Sequence, residues 1–157
     1  MKDTLKTSDS PQTRNHGRGY CDRDSLTGPH ALTASPWIDP AHCGRLLHMK
    51  IVTSGDGPAV LTMPFLIDFA QGSGLMHGGA LVSLADTAVV MAIKSLVPPG
   101  TNFAPTSIET KFLYPDKSGV VTARARLPPK RQNRFYGRAT LFNQNTRPVM
   151  EFRATFR

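Results

Sequence analysis

The stretch from Leu75 to Val97, LMHGGALVSLADTAVVMAIKSLV, is the longest apolar run in the chain, and it admits few folds. Ala80, Leu81, Leu84, Ala85, Ala88, Met91 and Ala92 recur at helical spacing, while Val82, Val89, Val90 and Ile93 make the opposite side apolar too. A helix apolar nearly all round has to be buried. Gly78 and Gly79 stand where it would begin, and Pro98-Pro99-Gly100 forbids it to continue past Val97. About 20 residues at a rise of ~1.5 Å make a rod about 30 Å long, the diameter of a small domain. That length also spans a bilayer. Ser83, Asp86, Thr87, Lys94 and Ser95 interrupt the run, however, and ionisable groups are costly in lipid, so no membrane insertion is expected.

Asp86 is the anomaly within this helix. It lies too deep to cap the N-terminus, and Asp is a poor helix-interior residue. Burying an ionised carboxylate costs several kcal/mol unless it is paired or hydrogen-bonded. Either a partner compensates the charge or function retains it.

The flanking segments say what wraps the helix. Leu47, Met49 and Ile51 alternate with polar neighbours over Arg45 to Thr53, and the Gly55-Asp56-Gly57 turn leads to a partner strand from Pro58 to Met63. Four more strands follow the helix: Thr106 to Tyr114, Val121 to Leu127, Phe135 to Asn143 and a last one ending at Arg157, separated by turns at Pro115 to Gly119, Pro128-Pro129 and Arg147-Pro148. Two strands, one long buried helix and four strands make an α+β layout, with the helix cradled by a curled antiparallel sheet of about six strands.

With 157 residues there is room for one domain with a real core. Residues 1–36 are rich in Ser, Thr, Asp, Arg, Gly and Pro and are expected to be a loosely ordered leader, with a single domain from 37 to 157. The N-terminus has no apolar h-region, and Cys21 and Cys43 make no disulfide framework, which points to the cytoplasm. His42, Cys43 and His48 have no recognised ligand spacing, so no metal is expected. The formal charge of +8 is concentrated: Lys117 to Arg157 holds ten Lys or Arg against Glu151 alone. Such a segment suits an anionic partner, whether a phosphate-bearing small molecule, nucleic acid or a membrane surface. The arginines alternate with core-facing residues and no aromatic stacking platform is evident, which disfavours nucleic acid.

A long helix opened by His-Gly-Gly within a curled antiparallel sheet resembles the hotdog fold. More narrowly, His77-Gly78-Gly79 and Leu84-Ala85-Asp86-Thr87-Ala88 are similar to the helix signature of the PaaI-type acyl-CoA thioesterases. The resemblance covers about Arg45 to Arg157. It implies hydrolysis of an acyl- or aryl-CoA thioester to free acid and CoA, without a cofactor. Asp86 matches the family's catalytic carboxylate, nucleophile or general base, and Gly78 or Gly79 the glycine whose N–H polarises the thioester carbonyl. Gln71 stands where the family has an amide side chain near the reacting carbonyl, and Ser107 matches a hydroxyl that helps place water in some members. His77, the remaining member of the motif, reads more readily as structural than catalytic. Coenzyme A carries phosphates, for which Lys130, Arg131 and Arg134 are candidate ligands, with Arg124, Arg126 and Arg138 on neighbouring strands.

A helix N-terminus supplies free N–H groups and a positive dipole end for the oxyanion of thioester hydrolysis, and an ionised carboxylate supplies the base. Asp86 follows Gly78 by eight residues, about 12 Å along one helix, whereas reacting groups must come within ~3–3.5 Å. One helix cannot supply both halves. The expectation is a homodimer, or a homotetramer built as a dimer of dimers, with the helix start of one subunit facing Asp86 of another. The competing reading is a hotdog protein that binds acyl-CoA as a sensor or scaffold without hydrolysing it; a dehydratase of the same fold would need His77 and its acid differently arranged.

Overall fold

A computed structural model describes residues 36–128 and 134–157. The chain divides into two units, Met1–Ala34 and Ser35–Arg157, and the first, which holds nearly all of the expected leader, lies outside the described residues. The second contains helix α1 (Ala41–Leu46), strands β1 (Lys50–Ser54) and β2 (Ala59–Pro64), a short 3-10 turn (Ile67–Phe69), the long helix α2 (Gly78–Lys94), and strands β3 (Pro105–Phe112), β4 (Val120–Arg126), β5 (Phe135–Phe142) and β6 (Pro148–Phe156).

The six strands form one sheet in the order β1-β2-β4-β5-β6-β3, every neighbouring pair antiparallel. The α+β hotdog architecture expected from the sequence is therefore the fold, a curled sheet around one main helix. Alternation gives β4, β5 and β6 an apolar face, on which Val121, Ala123, Ala125, Ala139, Leu141, Met150, Phe152, Ala154 and Phe156 are buried, and α2 packs across it. Many of these residues are small, and so are Ala85, Ala88 and Ala92 on the facing helix. The approach is tightest at Gly137 on β5, where any Cβ would lie inside the Val89 side chain.

Two expectations change. The segment read as a strand from Arg45 to Thr53 begins as the end of α1 and a turn, and pairing starts only at Lys50. The Leu47–Met49–Ile51 alternation reports residues packed on the core, not strand pairing along its whole length. The long helix stops at Lys94 instead of Val97 because its last carbonyls find other donors. The Trp37 indole N–H donates to Lys94 O at 2.9 Å, and Ser95 Oγ donates to Ala92 O at 2.7 Å while accepting the Gly57 N–H at 3.0 Å.

The helix is also less enclosed than its composition suggests. Ala80, Leu81, Leu84, Ala85, Ala88, Val89, Met91, Ala92 and Ile93 are buried, but Val82, Ser83, Asp86, Thr87 and Val90 are only half-buried and lie at helical spacing along one flank. The sheet has a matching gap. β3 is an edge strand exposed on both faces, with Ile108 46% and Phe112 54% exposed.

The close approach at Gly137 can be tested directly. Gly137→Ala should cost roughly 1–3 kcal/mol, read as a lower urea midpoint at unchanged slope, and Val89→Ala in the same chain should restore much of it. A Gly137→Ala protein as stable as wild type would refute the tight contact.

Candidate active site

The segment leading into α2 is held as a small loop. Ala70 bridges Met76, His77 N–H donates to Phe69 O at 2.7 Å, and Met76 N–H donates to Asp116 O at 2.8 Å, which ties the loop to the β3–β4 turn. Gln71 sits half-buried at the near end of this loop. Its backbone N–H donates to Leu75 O at 2.8 Å, and its Oε1 accepts the Ser73 N–H at 2.7 Å. The amide NH2 is therefore the part of Gln71 left for other work.

His77 is the N-cap of α2. Its extended backbone (φ −64°, ψ 131°) starts the helix, and its Nδ1 accepts the Gly79 N–H at 2.9 Å. The imidazole therefore acts as a cap. It also separates the two glycines, because Gly79 spends its N–H on the cap while the Gly78 N–H has no hydrogen-bond partner among the described residues. Phe112 lies against the same spot, and a Cβ on Gly78 would come within 3.0 Å of its ring. The helix opening thus presents one free donor beside an aromatic ring on the exposed edge strand.

Asp86 stands on the half-covered flank of α2, two turns in from that donor. Desolvation by burial pushes its carboxyl above the ordinary carboxylate value, and its Oδ1 is buried with no hydrogen-bond partner among the described residues. Asp116 is a second buried acid, 6% exposed, that sequence patterning did not single out. Desolvation raises it too, opposed by a hydrogen bond from the Lys117 N–H, and its Oδ2 is also unpartnered. A turn Asp beside Pro115 reads as solvated until the loop before α2 is seen to close over it.

The structure gathers Gln71, His77, Gly78 and Gly79 at the helix opening and holds Asp86 apart. Ser107 joins neither group. It lies on the face of β3 turned away from α2, grouped with Tyr136, Arg138, Arg153 and Thr155. Arg134 is exposed at the start of β5, while Lys130 and Arg131 lie outside the described residues. Among the described residues no group of three or more His, Cys, Asp or Glu could hold a metal, and no helix is long and apolar enough to cross a membrane.

A half-buried carboxylate in a long helix, a glycine-opened helix end and a six-stranded antiparallel wrap are the arrangement that the resemblance to thioester hydrolases of the hotdog fold implies. The thioesterase superfamily model matches residues 73–150, which span the helix opening, Asp86, strands β3 to β5 and the first residues of β6. The acyl-coenzyme A thioesterase PaaI of Escherichia coli is 30% identical over 112 residues, covering 71% of this chain and 78% of that protein. Its solved structure, described as the PaaI protein of the phenylacetic acid degradation operon, superposes with a TM-score of 0.67 over 73% of this chain and 81% of that one. A thioesterase of Haemophilus influenzae, 26% identical, gives a TM-score of 0.69 over 74% and 81% of the two chains. A conserved protein of Pseudomonas aeruginosa, 24% identical, has the same fold at a TM-score of 0.71 over 76% and 94% of the chains. The chain belongs to the thioesterase superfamily, among its PaaI-type hotdog members.

The state of Asp86 sets a stability prediction. Because burial raises its pKa, the folded protein holds this proton more tightly than the unfolded chain does. The carboxyl therefore costs nothing below the ordinary value of 3.8, costs progressively more as the pH rises from there to the raised value, and costs its full amount above it. Asp86→Asn should melt higher than wild type at pH 7, and the gain should fade as the pH drops towards 4. A lower melting temperature at pH 7 would mean that the ionised carboxylate has a stabilising partner.

Proposed function

We propose that the protein hydrolyses an acyl- or aryl-CoA thioester to the free acid and CoA, at an active site completed only when two copies associate. The observation that carries this reading is the division of the machinery on α2: the free N–H of Gly78 at one end, and the unpartnered, desolvated carboxylate of Asp86 two turns away on a flank the sheet leaves open. A second copy brings its Gly78 to Asp86 and receives the reverse. The half-covered Val82 and Val90, with Ile108 and Phe112 on the exposed edge strand, are the apolar surface such an association buries. The assembly is a homodimer or a tetramer of two such dimers, working in the cytoplasm.

At this shared site the Gly78 N–H and the positive end of α2 stabilise the oxyanion that forms when the thioester carbonyl is attacked. Asp86 supplies the attack. As general base it takes a proton from water while the water oxygen bonds the carbonyl carbon; as nucleophile it bonds that carbon itself, and water then opens the anhydride. In both courses the C–S bond breaks, the thiolate leaves as CoA after taking up a proton, and the carboxylate is regenerated. Gln71 lies on the loop that opens the helix, and in this reading its amide NH2 holds the carbonyl or the water. Gly78, not Gly79, is the oxyanion donor in this reading, and Ser107 and His77 take no chemical part.

Two measurements test it. Thiol release from a panel of aryl, short-chain and long-chain acyl-CoAs should fall about 10²–10⁴-fold in Asp86→Asn, and the acidic limb of the wild-type profile, where activity is lost as Asp86 takes up its proton, should vanish with it. Binding of acyl-CoA without turnover by wild type would replace this reading with that of a binding protein. Gly78→Pro removes the N–H but keeps the helix, since proline is favoured at the first helical position and His77 is already in the extended conformation that precedes it. Each variant should be inactive alone. Refolded together they should recover about a quarter of the wild-type rate, as random pairing leaves half the dimers mixed with one intact site each. No recovery, with mixed dimers demonstrated, would place Gly78 and Asp86 in one subunit's site.

A further inference from the structure

The outer face of the sheet carries a charge pattern that the chemistry proposed at Asp86 does not call on. Arg126 on β4 is the direct cross-strand partner of Arg138 on β5, and Arg138 is that of Arg153 on β6. Strands lie about 4.8 Å apart, so three guanidinium side chains spring from a row about 10 Å long. Like charges directly opposite one another destabilise a sheet. The relief is partial: Glu109 is opposite Arg153 and Glu151 opposite Lys111, yet among the described residues neither comes within ion-pair distance of an arginine of the row, and Arg138 has an arginine on both sides. Arg124, two residues along β4 from Arg126, stacks over the Phe142 ring at 5.3 Å.

The row also has a shape. Arg124, Arg126, Arg138 and Arg153, with Thr140 and Glu151, line a cavity of about 140 Å³. A second cavity of about 220 Å³ is lined by Ser107, Tyr136, Thr155 and Glu109 and shares Arg138 and Arg153 with the first. The two adjoin at Arg138 and Arg153, and we treat them as one groove with a cationic end and an end that offers hydroxyls and Tyr136, 37% exposed. A second copy of the chain is a poor occupant, because facing arginine rows would repel. The sheet separates the groove from α2 and hence from Asp86 of the same subunit.

We propose that this groove is a second ligand site, which takes a free nucleoside polyphosphate: the phosphates neutralise the arginine row and the base lies on Tyr136. Planar guanidinium groups at strand spacing can each engage phosphate oxygens in pairs, and successive phosphates match a row of donors better than one phosphate does. The aromatic ring adds a stacking surface that tolerates any base.

Titration calorimetry of the full-length protein with ATP, ADP, AMP and tripolyphosphate tests this without reference to turnover. ATP and ADP should bind saturably and more tightly than AMP. Arg138→Gln should weaken ADP about tenfold or more, whereas Tyr136→Ala should weaken ADP but leave tripolyphosphate unchanged. Asp86→Asn should bind ADP as wild type does, so that failure of the hydrolase reading leaves this one standing. Arg138→Gln should also raise the melting temperature of the free protein at low salt, by removing the charge flanked on both sides by like charge, and this signature shows that the variant is folded. Absence of saturable binding would overturn the proposal, as would weak binding indifferent to Arg138→Gln. Stoichiometric displacement of ADP by CoA would also overturn it, by assigning the groove to the substrate's own adenosine phosphates.

Discussion

The contact on which the rest depends is the seating of α2 against the middle of the sheet. At Gly137 the strand has no side chain where Val89 arrives, and alanines on both surfaces let backbone approach backbone elsewhere. Close packing of this kind gains dispersion contacts along the length of the helix but fixes its rotation, since turning it would drive Val89 into β5. A fixed rotation decides which residues are left over. The flank that cannot reach the sheet is the one that carries Asp86 between Val82 and Val90. The position of the acid is thus a consequence of which opposite-face residues are small.

That leftover flank links stability, assembly and chemistry. An ionisable group with a buried, unpartnered oxygen is a standing cost to the folded chain, and natural proteins keep such costs where function needs them. In the proposed function that cost goes with a site left incomplete in one subunit. The carboxylate and the free Gly78 N–H lie on one rigid rod, so no loop movement within the subunit can bring them together, whereas two rods side by side can do so twice. The His77 cap sharpens the arrangement by consuming the Gly79 donor, leaving the N–H at the first helical position without a partner among the described residues. Apolar side chains lie beside both groups, so the association proposed to complete the chemistry would also exclude water from it.

The helix, its glycine opening and the anomaly of Asp86 were legible in the sequence because each is a local pattern: apolar recurrence, a breaker at either end, a charge out of place. Strand existence was legible for the same reason. What was not legible depended on partners distant in the chain. The helix ends at Lys94 because Trp37 and Gly57 meet its last turn, and no local rule foretells that. Asp116 looks like a solvated turn residue until the Met76 N–H is found on its carbonyl. Gly78 and Gly79 look equivalent until the imidazole chooses between them. Ser107 has the right residue type for a water-placing hydroxyl, but alternation alone does not say which face of β3 meets the helix.

Register shows the limit most clearly, and it bears on the basic third of the chain. Outward-facing arginines on β4, β5 and β6 could be read from alternation, but counting outward from the Asn143–Arg147 turn places Arg138 opposite Phe152, on the wrong face. The irregularity between Leu141 and Phe142 shifts the pairing by one residue, and Arg138 comes to face Arg153 instead. One extra residue at a hairpin thereby turns scattered positive charges into a row. The two faces of the sheet are under different constraints. The inner face must stay small and apolar to seat α2, and the outer face has no packing partner to satisfy among the described residues. Three aligned arginines on that free face add nothing to the core and repel one another, so their alignment is explained better by an anion they meet than by the fold they decorate.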